Sequence, residues 1–220
     1  MKTAIFDLDG TLADTSRDLL YAGNACFVAA GYDAPLTHEA HAATAFAGGR
    51  AMLTLGAEIL GLDWGEPEIL AQYPRLLQVY EEHIDVHTTL YPGVVAALDR
   101  LAADGWRLGV CTNKPERLAE ILMARLGIRD RFAALLGADT LPVRKPDPEH
   151  LFETIRRVGG DPERAVLVGD TITDRATSAN AGVPSVLVSF GPTGMGVADL
   201  KPEALLHHYD EIDGVLARLV

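Results

Sequence analysis

Residues 3–9, Thr-Ala-Ile-Phe-Asp-Leu-Asp, form an apolar, β-prone run that ends in carboxylates and then Gly10, the pattern of a strand feeding a turn. From residue 92 onward, strand-like and helix-like segments alternate. Val94, Val95, Leu98 and Leu101 share one stripe and predict a helix over Pro92 to Asp104, stopped by Gly105. Arg107 to Cys111 then reads as a strand, and Pro115 to Leu126 as a helix with proline at its start and Gly127 at its end. Phe132 to Gly137 predicts a third strand, and Pro148 to Val158 a helix closed by Gly159 and Gly160. Ala165 to Gly169, Asp174 to Ala181 and Pro184 to Phe190 complete the series as strand, helix and strand. These strands are almost continuously apolar, as expected of a sheet covered by helices on both faces. Their alternation with helices predicts a mostly parallel α/β sheet with right-handed crossovers.

Residues 15 to about 89 break this rhythm, with no strand-like run among them. Leu20, Phe27 and Val28, with Asn24 among them, fit one helical face. Met52, Leu53, Leu55, Ile59 and Leu60 fit a second, and Leu70, Tyr73, Leu76, Leu77 and Tyr80 a third. The segment therefore reads as an all-helical insert between the first strand and the rest of the sheet, long enough for a small bundle of its own.

Composition narrows the classes of function. With 220 residues, 48% hydrophobic and 23% charged, the chain can bury a large core and is neither disordered nor collagenous. Acidic residues outnumber basic ones 31 to 19, a net charge of −12 that repels nucleic acid and anionic membranes, so neither is expected as a partner. The two cysteines, Cys26 and Cys111, stand far apart in apolar surroundings and fit thiols packed in a reducing compartment. The N-terminus is too charged for a secretory leader, and no run of about 18 apolar residues occurs, so a cytoplasmic location is expected.

Ligands of open α/β sheets bind beyond the carboxyl ends of the strands, so the polar residues are best sorted by strand end. The first strand ends in Asp7-Leu8-Asp9-Gly10-Thr11, the second in Thr112-Asn113, and the fourth in Gly169-Asp170-Thr171 with Asp174 close behind. Lys145 lies in the loop after the third strand. Asp7 and Asp9 stand two apart in extended chain and start on the same face, where they repel unless a cation or a proton intervenes. With Asp170 they form a hard, oxygen-rich set suited to Mg²⁺. A lone aspartate at a strand end usually caps a turn or helix, a lone Thr112 bonds its own backbone, and a lone lysine is solvated. Their joint occurrence at one sheet edge argues for chemistry.

Asp7-Leu8-Asp9-Gly10-Thr11-Leu12, Thr112-Asn113, Lys145-Pro146 and Gly169-Asp170-Thr171-Ile172-Thr173-Asp174 together resemble the four motifs of the haloacid dehalogenase superfamily, in order and across the whole chain. The helical insert resembles the α-helical cap of its phosphoglycolate phosphatase and β-phosphoglucomutase branch. The resemblance implies a Rossmann-like core of about five to six parallel strands (residues 1–14 and 90–220) with an inserted all-helical cap (residues 15–89). It implies a Mg²⁺-dependent phosphatase acting on a small phosphorylated metabolite through an aspartyl-phosphate. Asp7 would be the nucleophile, and Asp9 the acid and then the base. The Asp7 and Asp170 carboxylates and the Asp9 carbonyl would hold Mg²⁺, with Asp174 one shell further out. Thr112, Asn113 and Lys145 would hold the phosphoryl group. Members that cleave carbon–halogen or carbon–phosphorus bonds lack the second aspartate, so Asp9 argues against both.

A sugar-phosphate mutase shares the same aspartates, and a receiver-like phospho-acceptor domain shares clustered aspartates and a lysine. The long insert and the Asp7-x-Asp9 spacing speak against the receiver. Seven histidines show no metal-ligand spacing and read as scattered surface residues. Gly48-Gly49 lies in the insert rather than after a strand, marking a helix start or a close approach, and Arg50 beside it could meet a substrate carboxylate. That placement favours phosphoglycolate, hydrolysed to glycolate and phosphate, over a neutral sugar phosphate. A monomer or homodimer is expected.

Overall fold

The computed structural model describes residues 1–220 and divides the chain into two compact units. One comprises Met1–Asp14 and Leu90–Val220, the other Thr15–Thr89.

The first unit is built on a six-stranded sheet. Its strands are β1 (Thr3–Phe6), β4 (Arg107–Cys111), β5 (Ala134–Leu136), β6 (Ala165–Gly169), β7 (Ser185–Val188) and β8 (Ala204–Leu206). Two further short strands, β2 (Ala13–Asp14) and β3 (Thr89–Leu90), lie where the chain leaves this unit and where it returns. The sheet order is β5-β4-β1-β6-β7-β8 and every pairing is parallel. Thr3 stands opposite both Arg107 and Ala165, so β1 is central and its carboxyl end is flanked by those of β4 and β6. The sequence pattern predicts five of these strands. β8 escapes it because only Leu206 of Ala-Leu-Leu is fully buried and the run is three residues long at the sheet edge.

Helices α5 (Val94–Ala103), α6 (Glu116–Arg125), α7 (Pro148–Arg157), α8 (Ile172–Ala181) and α9 (Ile212–Leu216) complete this unit. Helix α7 shows how sequence makes such an element. Asp147 caps it by accepting from the Glu149 N–H, Pro148 pre-sets its first turn, and Leu151, Thr154 and Ile155 form the buried face. That face packs into an apolar core with Ile5, Cys111, Leu136, Leu167 and Val183. Elements shift by a residue or two from the sequence reading: the third strand is three residues rather than six, and α8 begins at Ile172.

The second unit holds α1 (Ser16–Ala29), α2 (His38–Phe46), α3 (Gly49–Ile59) and α4 (Glu66–Glu82). Three were visible as apolar stripes. The alanine-rich α2 was not, because it buries only Ala45 and carries no stripe to detect. The stripes were also imperfect: Val28, Ile59 and Leu70 point outward, while the buried face of α4 runs through Ile69, Leu76 and Tyr80. Asn24, polar among apolar neighbours, clamps the Leu36 backbone through both its amide nitrogen and its carbonyl oxygen. Gly49 opens α3 where a Cβ would meet the Tyr73 ring at 2.9 Å and Leu76 at 3.1 Å, so close approach of α4 requires glycine there. No helix is long and apolar enough to cross a membrane.

Candidate active site

Asp7 follows directly from β1, its N–H still continuing the sheet by donating to the Val168 carbonyl at 2.9 Å. The chain then turns sharply: the Leu8 carbonyl accepts from the N–H groups of Thr11, Leu12 and Ala13. Gly10 makes that turn possible. Its φ is +79°, and a Cβ on it would lie 2.2 Å from an Asp170 oxygen. The turn and Asp170 are thus packed directly together.

Oxygens of Asp7, Asp170 and Asp174 lie within 4.8 Å of one another, all three residues buried. Lys145 reaches into this group with Nζ 2.6 Å from Asp174 and 3.0 Å from Asp7. Asp174 stands in the first turn of α8, where its other oxygen accepts from the Thr171 N–H and hydroxyl and the Asp170 N–H. Both of its oxygens are therefore engaged by protein donors. Asp170 accepts from the Thr11 hydroxyl at 2.9 Å.

The charges are crowded, and titration behaviour follows. Burial pushes the Asp7 carboxyl up to about 6; Lys145 opposes this, and Asp174 and Asp9 reinforce it. Burial, with Asp174 and Asp7 nearby, pushes Asp170 well above the usual carboxylate range. Lys145 moves upward despite its burial, because Asp174 and Asp7 both favour its charged form. For Asp7 the ammonium it shares with Asp174 does not offset burial, and Asp174 has the shorter contact to it. A donor set made only of buried carboxylate oxygens with excess negative charge fits a small hard divalent cation such as Mg²⁺.

Around this cluster the remaining predicted residues take distinct places. The Thr112 hydroxyl favours the ionised form of Asp7 and accepts from the Lys114 N–H. The Asn113 side chain donates to the Lys145 carbonyl at 2.9 Å, tying the end of β4 to the lysine's loop. Asp9 receives the Lys114 ammonium at 2.9 and 3.1 Å. Sequence reasoning stopped at Asn113 and missed Lys114; its position in the Thr112-Asn113-Lys114 strand end was the available signal. Arg50 belongs to the helical unit, at the start of α3, where it faces Glu66 at 3.8 Å with its side chain 57% exposed.

One expectation needs correction. His150 is not a surface residue but fully buried, with Nε2 3.0 Å from the Gly137 carbonyl and Nδ1 3.5 Å from Cys111 Sγ. Burial lowers its basicity, so it sits neutral beneath the strand ends. Cys111 itself is pushed up to about 12 by burial and is no nucleophile.

The family model for haloacid dehalogenase-like hydrolases matches residues 4–188, a span that includes Asp7, Thr112, Lys145, Asp170 and Asp174. This chain belongs to that family. A phosphoglycolate phosphatase from Mesorhizobium japonicum is 40% identical, covering 97% of this chain and 93% of its own. Another from Agrobacterium fabrum is 38% identical, covering 94% and 88%. Among solved structures, that of a predicted phosphoglycolate phosphatase from Haemophilus somnus 129PT superposes with a TM-score of 0.82 at 24% identity, covering 98% of this chain and 97% of that one. At that identity the superposition speaks for the fold alone. As a member of the haloacid dehalogenase-like hydrolases with such relatives, the protein is a phosphatase, a phosphoric monoester hydrolase.

Proposed function

We propose that the protein is a Mg²⁺-dependent phosphatase that hydrolyses 2-phosphoglycolate to glycolate and phosphate through an aspartyl-phosphate on Asp7. The observation that carries the reading is the convergence of Asp7, Asp170, Asp174 and Lys145 at the carboxyl ends of β1 and β6. The substrate is taken from the relatives' names and from Arg50 beside a helix start.

In this reading the Asp7 and Asp170 carboxylates and the Asp9 carbonyl would hold the cation, with Asp174 supporting them from outside. When bound, the cation would supply the positive charge that lets a dianionic phosphate approach an anionic nucleophile. One Asp7 oxygen attacks phosphorus while Asp9 protonates the departing glycolate oxygen; Asp9 then takes a proton from the water that opens the acyl phosphate. A single carboxyl can do both because the half-reactions need opposite proton transfers. Lys145 and the Thr112 hydroxyl, with the Asn113 N–H, face the oxygens of the transferring group, where transition-state charge lies.

The core residues grip only phosphoryl, so discrimination among alcohols falls to the helical unit, residues 15–89, acting as a cap. There Gly48-Gly49-Arg50 offers N–H groups and a guanidinium to a carboxylate. A cytoplasmic location fits the two buried free thiols. The deciding experiment measures phosphate release from a panel of monoesters with Mg²⁺, including 2-phosphoglycolate and β-glucose 1-phosphate. The highest kcat/KM is expected for 2-phosphoglycolate. A preference for hexose phosphates would overturn the substrate, and conversion of β-glucose 1-phosphate to its isomer would turn the reading to a mutase.

A further inference from the structure

Tyr209 lies in the C-terminal segment, remote in sequence from every motif, and is fully buried. Its hydroxyl donates to the Thr11 carbonyl at 2.8 Å, and the Thr11 hydroxyl donates to Asp170 Oδ1 at 2.9 Å. Both bonds are buried, and Gly10 packs against the other side of the Asp170 carboxylate. The tyrosine is itself anchored. Arg100 donates to the Tyr209 carbonyl at 3.1 Å and to Asp213 at 2.8 Å, and the Tyr209 ring packs on Phe190 with centroids 5.4 Å apart. Burial holds the phenol well above its usual range, so it remains a donor.

We infer that Tyr209 is a positioning residue that orients Asp170 through Thr11 and thereby sets the affinity of the acidic cluster for its divalent cation. The physical reason is the cost of an unpaired buried carbonyl. Without the phenol hydroxyl, the Thr11 peptide turns to seek another donor and carries with it the hydroxyl that aims the Asp170 oxygen. Cation sites tolerate only about 0.5 Å of such drift, and loss of an outer-shell partner typically weakens metal binding by about 10- to 100-fold. Tyr209 acts one bond further out, so a smaller effect is expected.

The inference rests on Asp170 being a cation ligand, as proposed above. It is tested by calorimetric titration of Mg²⁺ into the metal-stripped protein without substrate. Tyr209→Phe, which keeps the ring, should raise the Mg²⁺ Kd by about 3- to 10-fold. Thr11→Val should raise it at least as much, Thr11→Ser should restore binding to within about twofold, and the Tyr209→Phe/Thr11→Val double variant should be no weaker than Thr11→Val alone. If Tyr209→Phe lowers the thermal midpoint in chelator but leaves the Kd within twofold, Tyr209 is structural only and the inference falls. Multiplicative effects in the double variant would overturn the route through Thr11. If Tyr209→Phe does not fold, the two Thr11 variants decide: equal Kd values for valine and serine overturn it. Absence of Mg²⁺ binding by the wild-type chain would instead overturn the cation site, and this inference with it.

Discussion

The ammonium of Lys114 lies 2.9 Å from one carboxylate oxygen of Asp9 and 3.1 Å from the other, with the lysine side chain only 3% exposed. A lysine this buried beside the proposed proton donor holds that carboxylate in one orientation. Lys114→Met should therefore lower kcat by about 10- to 100-fold, part of the range that positioned proton transfer supplies. Steady-state kinetics with 2-phosphoglycolate checks this, and an unchanged kcat would separate Lys114 from the chemistry.

Asp7→Asn keeps shape but cannot attack phosphorus, so activity should fall by at least about 10⁴-fold while the far-ultraviolet circular dichroism is retained. Asp9→Asn should lose more on alkyl phosphates than on p-nitrophenyl phosphate, whose leaving group needs no proton. Equal losses on both substrates would remove Asp9 from the role of acid.

Exhaustive chelation should abolish phosphatase activity and Mg²⁺ restore it. Ca²⁺, with its larger and looser shell, should inhibit. Asp170→Ala should raise the Mg²⁺ concentration for half-maximal rate by at least about 10-fold. Activity that survives chelation would show that the carboxylate cluster works without a metal.

The metal-free protein should lose stability as pH rises. Asp7 titrates at about 6 when folded, above its ordinary value of 3.8, so its folded state favours the protonated form. That contribution is fully present below about pH 4 and is lost as pH climbs through 6. In chelator, Asp7→Asn should therefore raise the thermal midpoint at pH 7.5 by a few degrees, about 2–4 °C per kcal/mol for a chain of this size. At pH 4 the variant and wild type should melt together. Scanning calorimetry at both values decides it, and a lower midpoint for Asp7→Asn at pH 7.5 would show that Lys145 outweighs burial.

Arg50 stands exposed at the start of α3, with only a distant contact to Glu66. If it meets the substrate carboxylate, Arg50→Ala should reduce kcat/KM for 2-phosphoglycolate by about 10- to 100-fold, the worth of a charged hydrogen bond. For p-nitrophenyl phosphate, which has no carboxylate, the change should stay within about twofold. Parallel losses would take Arg50 out of the substrate site.

The sheet and the polar residues at its strand ends were legible because both are local signals. The apolar runs at residues 3–6, 107–111 and 165–169 announce buried strands, and each is followed at once by its polar residues. In a parallel sheet all carboxyl ends face one way, so Asp7, Thr112 and Asp170 leave it at the same edge, and the adjacency of β4, β1 and β6 brings them together. Helix α2 and strand β8 carry too little buried apolar surface to leave a pattern.

What pattern could not supply are the pairings made across long loops. Nothing about Lys114 in the sequence says that its ammonium ends on Asp9, 105 residues away. Nor does a tyrosine near the C-terminus announce a hydrogen bond to Thr11, or His150 its burial beneath Cys111 and Gly137. Periodicity depends on neighbours along the chain, and the elements it marks the sequence determined by itself; the order of the strands, with β1 between β4 and β6, was decided only in the folded sheet. The direction of a long side chain depends on which cavity the folded elements leave for it and which partner desolvates with it. Only the tertiary structure decides that, because the energy of a buried charge or hydroxyl is set by the atoms packed around it.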